Sequence, residues 1–204
     1  MAYAIIKPDP KTKGASAMKR IAVLILVLLL CLPACACALS PFETSSGEFQ
    51  WHMSDIIEQY IDWRVISSKD EFTLLRGESE TLPVIFITED IDDNLYEIVV
   101  AGMFPPVYNA ETDAMLENFL NTASTATHTL ALLERLEISQ DIRVLNRNVM
   151  YLVLNEARKS QSMDFLLEEP VFINQHVLSY YYTHELDYDE ELDLIYYSLL
   201  ITHD

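Results

Sequence analysis

The sequence predicts an α+β fold: an antiparallel sheet of about five strands with helices packed on one face, in the order α-β-β-β-α-α-β-β. Three observations predict it. Short β-branched and aromatic runs flank a long central stretch of helical spacing. Clusters of Gly, Asp, Asn and Ser separate those runs. Strands adjacent in sequence usually pair, so two groups of consecutive strands read as one antiparallel sheet with the helices laid against it.

Each element follows from its own pattern. Residues 53–63, "MSDIIEQYIDW", place Ile56, Ile57, Tyr60 and Ile61 on one helical face, with Ser54 as the expected N-cap. "EFTLLR" (71–76), "LPVIFIT" (82–88) and "LYEIVVAGMF" (95–104) read as strands, separated by the turn-like "GESE" and "EDIDDN". Pro105-Pro106 closes this block. Residues 109–137 then carry Met115, Leu116, Phe119, Leu120, Ala123, Leu130 and Leu133 at a 3.6 period, behind an acidic first turn. Their middle, "NTASTATHT", has poor helix propensity and is expected to bend or break the helix. Residues 139–160 read as a second helix, with Ser139 as its cap and Arg158 and Lys159 at its C-terminal end. The run "VMYLVL" inside it also fits a strand. Residues 171–183 and 192–202 read as a closing hairpin joined by a long acidic connection.

The front of the chain is of a different kind. From Met18, a basic pair (Lys19, Arg20) precedes the uncharged run Ile21–Leu30, and small residues end in Ala36-Cys37-Ala38. This is the layout of a secretory signal peptide over residues 18–38. The apolar run partitions into the membrane, the positive end stays behind, and the small residues fit a peptidase cleft. A spanning helix is the competing reading, but Pro33 interrupts the run and no charged stop follows it. Leu32-Pro33-Ala34-Cys35 also resembles the bacterial lipobox. That resemblance implies a lipoprotein signal ending before Cys35, with Cys35 as the lipidated residue. Residues 1–17 are polar and basic and read as an extension upstream of a start at Met18. Residues 39–204 are then expected to form a single exported domain, secreted or held at the cell surface, in contact with a membrane only through the signal or a lipid.

Removing the front changes the chemistry of what remains. All three cysteines (Cys31, Cys35, Cys37) lie within it, so residues 39–204 contain no thiol nucleophile, disulfide or cysteine metal site. Of the 13 basic and 32 acidic residues, five basic and one acidic fall before residue 39, leaving 8 and 31, formally −23. So acidic a surface excludes nucleic acid as a partner. Protein and glycan partners stay open.

No catalytic motif is present: no G-x-S-x-G, no glycine-rich phosphate loop and no H-E-x-x-H. His184-Glu185 lacks the second histidine that a zinc-protease helix needs. No cofactor is expected. Two acidic loops offer oxygen ligands for calcium: Asp90, Asp92 and Asn94 in one, Asp187, Asp189 and Glu191 in the other. Both equally fit plain turns, since Asp and Asn favour them. In the tyrosine-rich C-terminal region, Tyr180, Tyr182 and Tyr196 are the candidates for a binding surface, aromatic with polar tips. Cross-strand packing explains them equally well. The expected function is therefore a non-enzymatic binding module acting outside the cytoplasm. The alternatives are a small hydrolase using paired carboxylates, such as Glu168-Glu169, and a calcium-stabilised surface domain.

Overall fold

Ser45 starts the first helix because its side chain can replace a missing backbone acceptor: its hydroxyl accepts from the Glu48 amide at 3.1 Å. In the computed structural model, which describes residues 40–69, 71–79, 83–134, 151–167, 171–177 and 179–204, this helix, α1, runs Ser46–Ile57. The cap is Ser45, not the expected Ser54. The buried face of α1 is Ser46, Phe49 and Met53, while Ile56 is exposed. Glu58 ends the helix in the left-handed region at φ 56°, its amide returning to the carbonyls of Asp55 and Ser54.

Among the described residues, seven strands follow in one antiparallel sheet: β1 Asp62–Lys69, β2 Phe72–Glu78, β3 Val84–Asp90, β4 Leu95–Phe104, β5 Val171–Val177, β6 Tyr180–Asp189 and β7 Leu194–His203. Their spatial order is β1-β2-β3-β4-β7-β6-β5. The chain thus makes two meanders, and β7, the last strand in sequence, joins them by pairing with β4.

Seven strands rather than five is a correction with two causes. Strand β1, "DWRVISSK", has no alternation to reveal it, because it is an edge strand and is exposed along most of its length. The other cause is the acidic stretch, which is strand and not connection. In β6, His184 and Leu186 turn inward and are buried, whereas Glu185 and Asp187 face out. That period of two continues the ladder to Asp189, so the run 171–183 divides into β5 and the front of β6.

Between the meanders lies α2, Ala110–Leu133, capped by Asn109, whose side-chain oxygen accepts from the amides of Glu111 and Thr112. The Thr-rich middle does not break it. Thr122, Thr125 and Thr127 donate their hydroxyls back to the carbonyls of Asn118, Asn121 and Ala123, which keeps β-branched polar residues inside an unbroken helix. Residues 151–160 are helical and are here called α3, so a strand over this part of "VMYLVL" is ruled out. Arg158 on α3 makes a two-pronged contact with Asp113 near the start of α2, both distances 2.8 Å, and reaches Glu117 at 3.0 Å. That pairing holds Asp113 below the usual carboxylate range. A short 3₁₀ turn, Asp164–Leu166, leads toward β5.

The core forms where Phe119 of α2 meets the sheet: its ring lies 5.9 Å from Phe104 and 4.3 Å from Tyr197. Gly102 lies beneath these rings, and a Cβ there would stand 2.7 Å from Phe104 and 3.0 Å from Phe119. Glu134 closes α2 and is buried. Its carboxylate accepts from the amides of Glu43 (3.1 Å) and Thr44 (2.7 Å) and from the Tyr180 hydroxyl (2.9 Å).

Two outcomes follow for stability. Glu134→Ala strands the Thr44 amide and the Tyr180 hydroxyl, both buried, and should cost about 2–4 kcal/mol in a urea unfolding curve. Glu58→Gly relieves a left-handed residue at a helix end and should stabilise by about 0.5–1 kcal/mol, raising Tm by a few degrees.

Candidate functional site

The register of the seven strands sorts their residues onto two faces. One face, carrying Ile85, Ile98, Val100, Tyr182, Tyr197, Leu199 and Ile201, enters the core with α1 and α2. The residues of the other face do not join that core. Across this second face runs a row that crosses every strand: Arg64, Arg76, Phe86, Val99, Leu200, Thr183 and Asn174. Its centre is apolar and half-buried, with a basic end on β1–β2.

A neighbouring row holds the chemistry: Ser67, Leu74, Thr88, Glu97, Thr202, Tyr181 and His176. A bulge at Thr88/Glu89 shifts the register here, which puts Leu95 in the core but Glu97 on the second face. Glu97 is only 3% exposed, and its Oε2 accepts one hydrogen bond, from Thr88 Oγ1 at 3.0 Å. Burial raises its pKa, and the Thr88 bond offsets only part of that. At the other end of the row, the Tyr181 ring stacks on His176 at 4.3 Å and 11°, and His176 Nε2 lies 3.0 Å from Asp204 Oδ2. The Tyr181 hydroxyl and then His176 hold the Asp204 carboxyl below its ordinary value.

The residues singled out from sequence have other placements. Asp90 builds its own turn: Oδ1 accepts from the amides of Asp92 and Asn94, and Oδ2 from Asn94 Nδ2 and the Tyr96 hydroxyl. Burial alone would raise Asp90, but these bonds together hold it low. Asp93 follows in the left-handed region at φ 65°. In the second loop, Asp187 accepts from the Tyr188 amide, and Asp189 accepts from the amides of Glu191 and Leu192. Both loops are therefore hairpin turns held by their own carboxylates. Among the described residues, no three His, Cys, Asp or Glu side chains gather to hold a metal.

Tyr180 and Tyr182 alternate with Tyr181, and their face is the core and not a surface. They are 4% and 1% exposed, and Tyr180 is committed to Glu134. Tyr196 lies half-buried on the second face. Cys35 and Glu168-Glu169 lie outside the described residues. Among the described residues, the two buried carboxylates, Glu97 and Glu134, occupy opposite sides of the sheet and do not form a facing pair. His184 is fully buried with Nδ1 3.2 Å from the Tyr197 hydroxyl, and burial pulls its pKa down to about 4. Its neutral form supports the fold above pH 6.5, and that support is lost as pH falls toward 4.

Glu97, His176 and Asp204 were not singled out from sequence. The available signal was Glu97 itself, a lone acid within the apolar strand "LYEIVVAGMF". Among the described residues, no helix is long and apolar enough to cross a membrane.

Glu97 gives a pH-dependent expectation. An acid that holds its proton more tightly when folded costs nothing below pH 4.5, where both states are protonated, and its cost grows as pH rises. Glu97→Gln keeps an acceptor for Thr88 and should stabilise the fold at pH 7 by on the order of 1 kcal/mol. The gain should vanish by pH 4 when Tm is followed against pH. Comparison with protein-family models, with curated proteins and with solved structures yields no match, so the rows of this second face are read from their own chemistry.

Proposed function

We propose that the chain is an exported binding module whose contact surface is the second face of the sheet, the helices being packed on the first. One observation carries this reading. Phe86, Val99 and Leu200 stand in line across three central strands, flanked by Tyr196, Tyr181 and Phe172, and none of these six belongs to the core. Phe172 is 60% exposed and Tyr181 41% exposed. Aromatic and β-branched side chains on a sheet face supply contact area at small entropic cost, and the row beside them holds the buried Glu97 carboxylate. Burying that carboxylate costs stability, a pattern found where a residue serves binding more than folding.

The partner is a protein or glycan of the cell envelope, and the acidic surface of residues 39–204 favours cationic ones. The signal-like residues 18–38 support the export part of the reading.

Hydroxyl-radical footprinting with and without an envelope fraction tests the proposal. Protection is expected at Tyr181, Tyr196, Phe172 and Phe86. No change is expected at Tyr60 or Ile91, which are 82% and 77% exposed on other parts of the surface. Equal labelling of all six in both conditions would overturn the proposal. Sequencing of the mature N-terminus tests export separately: Leu39 or a lipidated Cys35 supports it, and an intact residue 1 in the soluble cell fraction refutes it.

A further inference from the structure

The sheet has two edges, and they differ in kind. Edge β1 is blunted: a bulge between Val65 and Ser67 breaks its ladder, and Asp62, Arg64 and Lys69 put charge along it. Edge β5 has none of these devices. All seven residues of "VFINQHV" pair with β6 in unbroken register, and the strand holds no Asp, Glu, Lys, Arg, Gly or Pro. Among the described residues, no further strand pairs with its outward side. A regular, uncharged, β-rich edge is a template for another strand.

The order of residues in β5 points to what that strand is. Turned about Asn174, the segment repeats its own residue at the centre and at both ends. An antiparallel copy centred there sets Asn174 against Asn174, Ile173 against Gln175, Phe172 against His176, and Val171 against Val177. Amide meets amide on the axis, and each exposed Phe172 ring meets an imidazole of the kind that already stacks on Tyr181. Two-fold interfaces need this self-complementarity, since one patch must serve both copies. We infer that β5 pairs with β5 of a second copy, forming one continuous sheet through an axis at Asn174. The row that ends at Asn174 then runs on into the partner, so the second faces of two copies become one surface.

The contact is small, one strand pair with its flanking side chains, so the dimer is transient. Two acidic copies repel each other, so added salt tightens the dimer until the repulsion is screened.

The test uses the full chain with Cys31, Cys35 and Cys37 replaced by serine, so that one introduced thiol is the only one. Asn174→Cys should cross-link to itself under mild oxidation, and Val65→Cys, on the exposed part of the β1 edge, should not. Cross-linking at both positions, or at neither, overturns the inference. Without introduced thiols, Asn174→Lys makes the chain less acidic, yet should weaken the dimer at least tenfold in sedimentation, as should Asn174→Asp. Mixing the Lys and Asp variants should restore association. If Asn174→Lys associates as well as the parent, the axis does not lie at Asn174.

Discussion

The carboxylate of Glu134 is the constraint around which the described fold is arranged. It stands at the C-terminal end of α2, where the helix dipole is already negative and an added negative charge is unfavourable. Two backbone amides of the segment before α1 and the hydroxyl of Tyr180 answer that charge. One side chain thus ties the entry to the first helix, the end of the long helix and the start of β6. Phe42, next to the bonded amides, lies parallel to the Tyr180 ring at 6.0 Å, and its own amide bonds the Leu95 carbonyl. The polar anchor and the stacked rings together keep the chain before α1 against both meanders.

Acidity has a structural use here beyond keeping a surface soluble. Residues 39–204 contain only three glycines, and none sits at positive φ. The left-handed positions at turns and helix ends fall instead to Glu58, Asp93, Gln161 and Asp193. Asp and Asn tolerate that conformation better than most residues, and their side chains bond the backbone of the turn. Asp93 accepts from the Gly47 amide, and Asp193 accepts from the Tyr188 hydroxyl. A large part of the acid in the two loops therefore builds turns and joins neighbouring segments.

What the sequence revealed depended on burial. Strands β2, β3 and β4 and the helix α2 were legible because the core fixes their hydrophobic period. Strand β1 was not, since an edge exposed to water keeps no such period. The acidic half of β6 hid a plain alternation, His184, Leu186 and Tyr188 against Glu185, Asp187 and Asp189, behind its charge. Helix α1 was displaced because its buried face includes Ser46, a residue that carries no hydrophobic signal. The candidate site was the least legible part. Tyr180 and Tyr182 stood out by composition, yet which face of a strand meets the core is a property of the sheet and not of the strand. Glu97, by contrast, was marked only as a lone acid in an apolar strand, and the face it takes depends on one bulge that turns it away from Leu95.

The position of β7 has a consequence for how the chain folds. The strand that emerges after all the others is the one that lies between the two meanders. Until residues 194–203 are available, β4 and β6 each present an open side, and Tyr197, Leu199 and Ile201 are missing from the core. Completing the sheet waits on a contact that spans about a hundred residues, and such long closures fold slowly. A chain built this way commits to its structure only after the last strand of its sheet is available to close the gap between the two meanders.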